Sequence, residues 1–265
     1  MLRFLTTLLF FVVPVLGVYT IHIASQHEGW WFPEQRSTFA ADIDDLFNII
    51  LWMVGITFVG TEVLLAWCVW RFGKKDASKS TFSHGNHTLE MVWTAIPALL
   101  LLFIAFSQMG VWAQVKMEDG FPKDGPYTVE RPIAELYASQ FDWRARYPDE
   151  EGNFNGEDIV ESAFEFVVPA NTKVVFNLKS RDVLHSFFVP VFRLKQDAVP
   201  GMTIPVWFEA TEPGEYDLIC AELCGWGHYK MAGRMIVLAP DDYDAWLAGE
   251  REALYANGSD ELLEE

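Results

Sequence analysis

One short segment, residues 220–231, places two thiols, an imidazole and a thioether within twelve residues: Cys220, Cys224, His228 and Met231. A second imidazole, His185, lies 35 residues before Cys220. After Trp112 the sequence contains only two cysteines and two histidines, and all four fall in these places. Sulfur and imidazole ligands select copper or zinc over magnesium or calcium. The spacing therefore predicts a soft-metal site.

The number of thiols indicates which metal site this is. A single blue-copper site uses one cysteine, two histidines and a weakly bound methionine. This chain has one thiolate more than that set, which predicts two coppers bridged by both thiolates, with one histidine on each copper. Met231 and the backbone carbonyl of Glu222 are predicted as weak outer ligands.

Two other interpretations of the cysteines stay open on the residues alone. Cys220 and Cys224 could form a disulfide in an exported domain, but this leaves His185, His228 and Met231 unexplained. A membrane-anchored copper-delivery protein with a thioredoxin-like fold also uses two nearby cysteines and a distant histidine. In that class the histidine follows the thiols, whereas His185 precedes them.

Short β-forming runs separated by turn residues must position these ligands. The predicted strands are 127–129, 133–143, 163–169, 174–179, 187–191, 206–210, 214–220 and 233–238. Turn signals such as Glu212-Pro213-Gly214 separate them. Many short strands at this spacing indicate a β-sandwich or barrel. Residues 241–247 predict a terminal helix, and 258–265 an acidic, loose tail.

Three apolar stretches before this domain, 4–24, 46–72 and 91–112, each reach the roughly 20 residues needed to cross a bilayer. Basic residues in the link between the second and third stretches predict a cytoplasmic link and an exported C-terminal domain: Arg71, Lys74, Lys75 and Lys79. The first stretch is either a cleaved signal peptide or a retained anchor helix.

Two carboxylates lie in or beside the apolar stretches. Glu62 is inside the second stretch, and Glu90 opens the third, with Thr88 as a candidate helix cap. Ionisable groups within a membrane are costly and therefore mark candidate functional sites. The alternatives are a neutral hydrogen-bonded acid at Glu62 and a helix N-terminal acid favoured by the helix dipole at Glu90.

Acidic residues concentrate in the soluble part of the chain. From Ala113 onward there are 29 Asp and Glu against 13 Lys and Arg, within a net charge of -18 for the whole chain. Such a surface repels nucleic acid and favours a basic protein partner. The alternative is that the charge serves solubility alone.

The ligand pattern, together with the apolar hairpin before it, resembles subunit II of the haem-copper cytochrome c oxidases over residues 42–238. The resemblance implies membrane-anchored all-β architecture, with a transmembrane hairpin at 42–112 and a cupredoxin β-sandwich at 113–240. Residues 1–24 then form a signal peptide or anchor helix, and 241–265 a C-terminal helix and acidic tail. The expected location is a bacterial-type inner membrane, with the copper domain on the outer, periplasmic face.

The resemblance also implies roles for individual residues. Cys220 and Cys224 look like the bridging thiolates of the binuclear copper centre CuA, and His185 and His228 like its imidazole ligands. Glu222 looks like a dual residue, with its carbonyl on copper and its carboxylate toward a magnesium ion at the subunit I interface.

Beyond the copper site, the resemblance implies an activity and its partners. Glu90 matches the carboxylate at a proton-channel entrance. Electrons from a cytochrome c donor would pass to haem in subunit I, where oxygen is reduced to water with proton pumping. Subunit I and subunit III are the expected partners.

One motif departs from the family pattern. The sequence reads Gln140-Phe141-Asp142-Trp143, so Phe141 stands where many members have a surface tryptophan that receives electrons. Phe141, Trp143 and Asp182 are predicted as docking residues, and the departure favours a membrane-bound or complex-held cytochrome as donor. Two related classes fit less well. Quinol oxidase subunits II lack the copper ligands, and the CuA domain of nitrous oxide reductase lacks the hairpin.

Overall fold

A computed structural model describes residues 2–27, 29–73, 82, 84–156 and 158–261. The chain divides into two compact units. The helical unit comprises Met1–Pro33 and Asp44–Gly110, and the β unit comprises Glu34–Ile43 and Val111–Glu265.

Three long helices account for the apolar part of the chain: α1 (Leu2–Gln26), α2 (Ala40–Phe72) and α3 (His87–Lys116). Each is long and apolar enough to cross a membrane, with a mean hydropathy of 2.1 to 2.2 in its most apolar part. Their large apolar side chains are mostly exposed, as expected for helices that face lipid. Arg71 lies in the last turn of α2. The other basic residues of the predicted cytoplasmic link, Lys74, Lys75 and Lys79, lie outside the described residues.

The residue that caps the start of α3 is not the one that the sequence predicts. The side-chain Oδ1 of Asn86 accepts a hydrogen bond from the backbone N–H of Leu89 at 3.1 Å. Asn86 is therefore the cap, and Thr88 is already inside the first turn because α3 begins at His87.

Ten strands form the β unit as two five-stranded sheets. The strands are β1 (Ala134–Ser139), β2 (Asp142–Tyr147), β3 (Val160–Ala163), β4 (Glu165–Pro169), β5 (Lys173–Ser180), β6 (His185–Val189), β7 (Leu194–Ala198), β8 (Ile204–Glu209), β9 (Gly214–Cys220) and β10 (Ala232–Leu238). One sheet has the order β3-β2-β1-β5-β8, and the other β4-β10-β9-β6-β7. The predicted β-sandwich is confirmed.

Two strand predictions are wrong, and two strands of the structure, β3 and β7, were not predicted. The predicted strand 127–129 is not a strand in the structure. The predicted strand 133–143 is two antiparallel strands, β1 and β2, which reverse at Gln140 and Phe141. The polar strand β7 was not predicted, because it pairs only with β6 at the edge of its sheet and lacks the apolar alternation of an inner strand.

Aromatic side chains fill the space between the two sheets. Phe176 packs against Phe166 and Phe187 with ring centroids 5.1 Å apart in both cases. The C-terminal helix α4 (Pro240–Glu261) closes one side of the β unit, where Trp246 packs edge-on against Tyr147. This helix is longer than predicted, since residues 258–261, expected to be loose, are helical. Residues 262–265 lie outside the described residues.

Candidate metal centre

Three neighbouring strands bring the predicted ligands together. β9 lies between β6 and β10, and Cys220 at the end of β9 is the partner of Phe187 in β6. The backbone N–H of Cys220 donates to the carbonyl of Met231 at 3.1 Å, just before β10. The register thus places His185, Cys220 and Met231 at one end of three adjacent strands, although they are distant in sequence.

The donor atoms converge on one small volume. The two sulfurs, Sγ of Cys220 and Sγ of Cys224, are 3.8 Å apart. Nδ1 of His185 is 3.9 Å from the Cys220 sulfur. One donor atom from each of these three residues lies within 4.8 Å of the other two, and all three residues are buried.

The remaining predicted ligands lie beside the second thiol and the loop backbone. Nδ1 of His228 is 3.6 Å from Sγ of Cys224, and Sδ of Met231 is also 3.6 Å from that sulfur. The carbonyl oxygen of Glu222 is 3.3 Å from Sγ of Cys220. Each thiol therefore has its own imidazole, and a carbonyl and a thioether lie at the periphery.

The two thiols differ in acidity. Burial opposes ionisation of Cys220, but hydrogen bonds with His185 and with the backbone lower the pKa of this thiol to about 6. Burial and the negative charge of the neighbouring Cys220 raise the pKa of Cys224 to about 11. The first thiolate forms readily, whereas the second needs a positive charge such as a metal ion to ionise at neutral pH.

Two residues that sequence reasoning did not assign to the site hold the ligands in place. Oδ1 of Asp182 is 2.8 Å from Nε2 of His185, on the far side of the ring from Cys220. The backbone N–H of Gln140 donates to Oδ2 of Asp182 at 2.6 Å, and the Gln140 side chain donates to the carbonyl of Cys224 at 2.5 Å. Gln140 thus joins the two ligand-bearing segments. Asp182 was predicted only as a docking residue.

The predicted docking residues fall in different environments. The role of Trp143 in electron entry or docking stays a prediction, although alternation along β2 turns its side chain into the core, where it is 1% exposed. Its ring packs edge-on to that of His185, with centroids 6.4 Å apart. Phe141 is half-buried against the copper-ligand loop, and the Asp182 side chain is 31% exposed.

The predicted proton-channel residue lies in the other unit. Glu90 is in the first turn of α3, with Oε2 3.4 Å from Nδ1 of His87. Glu62 is half-buried within α2. Glu222 is half-buried in the loop, and its carbonyl oxygen contacts the predicted copper ligand Cys220.

This donor set fits copper by its chemistry. Two thiols, two imidazoles and one thioether are soft ligands, and the two sulfurs are close enough for both to contact the same ions. A β-sandwich with such a site, attached to helices of membrane-spanning length, defines a membrane-anchored domain of the cupredoxin class.

Comparison with known proteins identifies the family. The model of the cytochrome c oxidase subunit II periplasmic domain matches residues 140–238, and that of the transmembrane domain matches residues 25–111. The chain belongs to the cytochrome c oxidase subunit II family. It is thus a subunit of a haem-copper oxidase, an oxidoreductase complex of the membrane, and its β unit is the outer-face domain that binds CuA in this family.

Individual relatives agree with this assignment. The chain is 30% identical to an alternative cytochrome c oxidase subunit 2 of Bradyrhizobium diazoefficiens, over 84% of each chain. It is also 30% identical to cytochrome c oxidase subunit 2 of Cereibacter sphaeroides, over 87% of this chain and 83% of that protein. A crystal structure of the periplasmic domain of subunit II from Bradyrhizobium japonicum is 26% identical, with a TM-score of 0.40, over 46% of this chain and 94% of that one.

Proposed function

We propose that this chain receives electrons for its oxidase through a binuclear CuA centre. A c-type cytochrome supplies the electrons, which continue to haem in subunit I, where oxygen is reduced to water with proton pumping. One observation carries the proposal: two thiol sulfurs lie 3.8 Å apart, and each has an imidazole Nδ1 within 3.9 Å.

The ligand assignment follows these contacts. Cys220 and Cys224 would hold the copper pair through their thiolates, and His185 and His228 through their imidazoles. Met231 and the carbonyl of Glu222 would be its weaker ligands. When bound, the copper pair supplies one-electron exchange with the change of charge spread over two ions.

The protein residues hold this ligand set rigid and dry. His185 is fully buried, and Met231 is 2% exposed. Asp182 fixes the His185 ring from outside, and Trp143 supports it from the core. Ligands on paired strands move little, which keeps the geometry alike in both oxidation states.

Two further roles follow from the family resemblance. The Glu222 carboxylate, on the same residue as a copper-facing carbonyl, is proposed to bind magnesium at the interface with subunit I. Glu90, which opens α3, is proposed to lie at a proton-channel entrance. Replacement of Glu90 by Gln should slow turnover of the oxidase and leave the copper spectrum unchanged.

Partners follow from the same chemistry. Subunit I, with subunit III, would surround the membrane helices, and an acidic β unit favours a basic cytochrome. The donor is proposed to be cytochrome c or a cytochrome held in a complex.

A comparison of two cysteine variants in the purified oxidase tests the function. We expect Cys220→Ser to abolish the binuclear copper EPR signal and the fast reduction of haem by a reduced soluble cytochrome c. Cys68→Ser, a matched loss of the cysteine in α2, should retain both. Full copper signal and full reduction rate in Cys220→Ser would overturn the proposal.

A further inference from the structure

The loop that carries the copper ligands exposes a large aromatic ring. Trp226 is 78% exposed, and Leu223 and Tyr229 on the same loop are also largely exposed. The ligand set uses none of these side chains. Large exposed aromatic residues are common at the centres of protein interfaces, where tryptophan is enriched among the residues that dominate binding.

Packing holds the Trp226 ring in position. It contacts Phe141 edge-on, with ring centroids 5.3 Å apart and an interplanar angle of 71°. Nζ of Lys230 lies 4.9 Å from its ring centroid on one face. Among the described side chains of the loop, Trp226 is the exposed ring that has both an aromatic contact, with Phe141, and a cation–π contact, with Lys230. The ring is thus presented at the surface at little cost in side-chain entropy.

Two glycines beside Trp226 permit this arrangement. A Cβ at Gly227 would lie 2.5 Å from Cδ2 of Phe141, and a Cβ at Gly225 would lie 2.6 Å from Nε2 of Gln140. Gly225 also has a φ of 135°, which side chains rarely adopt. The loop backbone therefore lies directly on Gln140 and Phe141, with the tryptophan ring outward.

The exposed ring is also close to the site along the chain. Trp226 follows Cys224 by two residues, and the carbonyl of Cys224 is held by Gln140, the neighbour of Phe141. The ring, the loop backbone and the buried thiol form one continuous packed unit. An electron donor that contacts Trp226 is therefore connected to the copper ligands through packed protein, with no solvent in between.

We propose that Trp226 is the docking contact for the haem edge of a basic c-type cytochrome, and the point where electrons enter this chain. The inference rests on the proposed electron-accepting function. The partner is expected to be basic because the domain from Ala113 onward has 29 acidic residues against 13 basic ones. Lys230 covers one ring face, so the partner contacts the other face and the edge.

The electron transfer has one electron donor and one electron acceptor. One electron would leave the ferrous haem of the cytochrome, which becomes ferric, and the copper pair that Cys220 and Cys224 would hold would accept that one electron. No proton is transferred at Trp226, and no covalent bond forms or breaks there. The ring supplies contact area and a short path through π orbitals.

Variants of Trp226 in the purified oxidase test the inference, with reduced soluble basic cytochrome c as the probe. Trp226→Ala should weaken cytochrome binding by about 30-fold, the effect of removing a residue that dominates an interface. Its second-order rate of reduction should fall by a similar factor. Trp226→Phe should retain much of both. Tyr255→Ala, which removes a 53% exposed aromatic from α4, is the matched control and should match the wild type.

Two further measurements separate the inference from the underlying function. The copper EPR signal and the reduction of the oxidase by a small-molecule dye that needs no docking should be unchanged in Trp226→Ala. Wild-type binding and rate in Trp226→Ala would overturn the inference alone. Loss of oxidase assembly in that variant would also overturn it, because Trp226 would then be a subunit contact. A wild-type oxidase without the copper signal would instead overturn the proposed function.

Discussion

Oδ1 of Asp182 lies 2.8 Å from Nε2 of His185, while Nδ1 of the same ring faces the Cys220 sulfur at 3.9 Å. The carboxylate therefore fixes which nitrogen is turned toward the metal site. The hydrogen bond with His185 also lowers the pKa of Asp182, although partial burial opposes this, so the carboxylate is charged at neutral pH. Such outer partners of a ligating histidine tune both its orientation and its basicity.

Replacement of Asp182 by Asn should weaken and retune the copper site. We expect about 10-fold to 100-fold lower copper affinity, as for other outer partners of metal-bound histidines. Loss of a nearby negative charge should raise the reduction potential, by about 60 mV if the redox equilibrium shifts tenfold. Copper titration and redox titration of the purified oxidase measure both. Asp217→Asn, which removes an exposed carboxylate paired with Arg234, is the control. An unchanged affinity and potential in Asp182→Asn would show that Asp182 does not position His185.

Gly227 should not tolerate a methyl group while Phe141 is present. Its backbone, with φ of -91° and ψ of 4°, is accessible to alanine, so the obstacle is the 2.5 Å approach to the Phe141 ring. Gly227→Ala should displace the loop at a cost of about 1–3 kcal/mol and reduce copper loading. Gly227→Ala combined with Phe141→Ala should restore loading, as measured by copper content. Equal losses in the single and double variants would contradict the steric explanation.

The copper-free thiols should ionise in two separate steps. Burial opposes ionisation of Cys220, but hydrogen bonds with His185 and with the backbone lower its pKa to about 6, whereas burial and the first thiolate raise the pKa of Cys224 to about 11. In a Cys68→Ser background stripped of copper, iodoacetamide should modify one thiol with a rate that rises through about pH 6. The thiolate is the reactive form, so this rate increases with pH. Two thiols that react together with a midpoint between pH 8 and 9, as for unperturbed cysteines, would contradict the arrangement.

Met231 should tune the site without being needed for the fold. Its sulfur is 3.6 Å from Sγ of Cys224, and leucine has a similar volume. Met231→Leu should therefore cost less than about 1.5 kcal/mol in the free energy of unfolding and retain bound copper. Its absorption spectrum and reduction potential should shift. Met235→Leu, a buried methionine in β10, is the matched control. A wild-type spectrum in Met231→Leu would exclude the thioether as a ligand.

The ligands could be predicted from the sequence because their residue types are rare in the soluble domain. Cys220, Cys224, His228 and Met231 are also close in sequence, so one loop collects them. His185 was identified only as the single remaining histidine, since strand pairing between β6 and β9 is what brings it to Cys220. The residue types thus predict which residues are the ligands, and the pairing of strands distant in sequence brings them together.

The supporting contacts could not be predicted in the same way. Gln140 reaches the carbonyl of Cys224 across 84 residues of sequence, a contact that depends on the packing of two sheets. The burial of Trp143 is different, because β2 alternates Trp143, Ala145 and Tyr147 with polar residues. A single predicted strand over 133–143 obscures that alternation, because the reversal at Gln140 and Phe141 changes the phase.

The most direct test of the copper assignment is a metal count with EPR on the purified oxidase, compared with a Cys220→Ser/Cys224→Ser double variant. We expect two coppers fewer per complex in the double variant. The wild type should have a signal from one unpaired electron shared between two copper nuclei, and the variant should lack this signal. A difference of one copper, a single-copper signal or a Cys220–Cys224 disulfide in the wild type would contradict the binuclear centre.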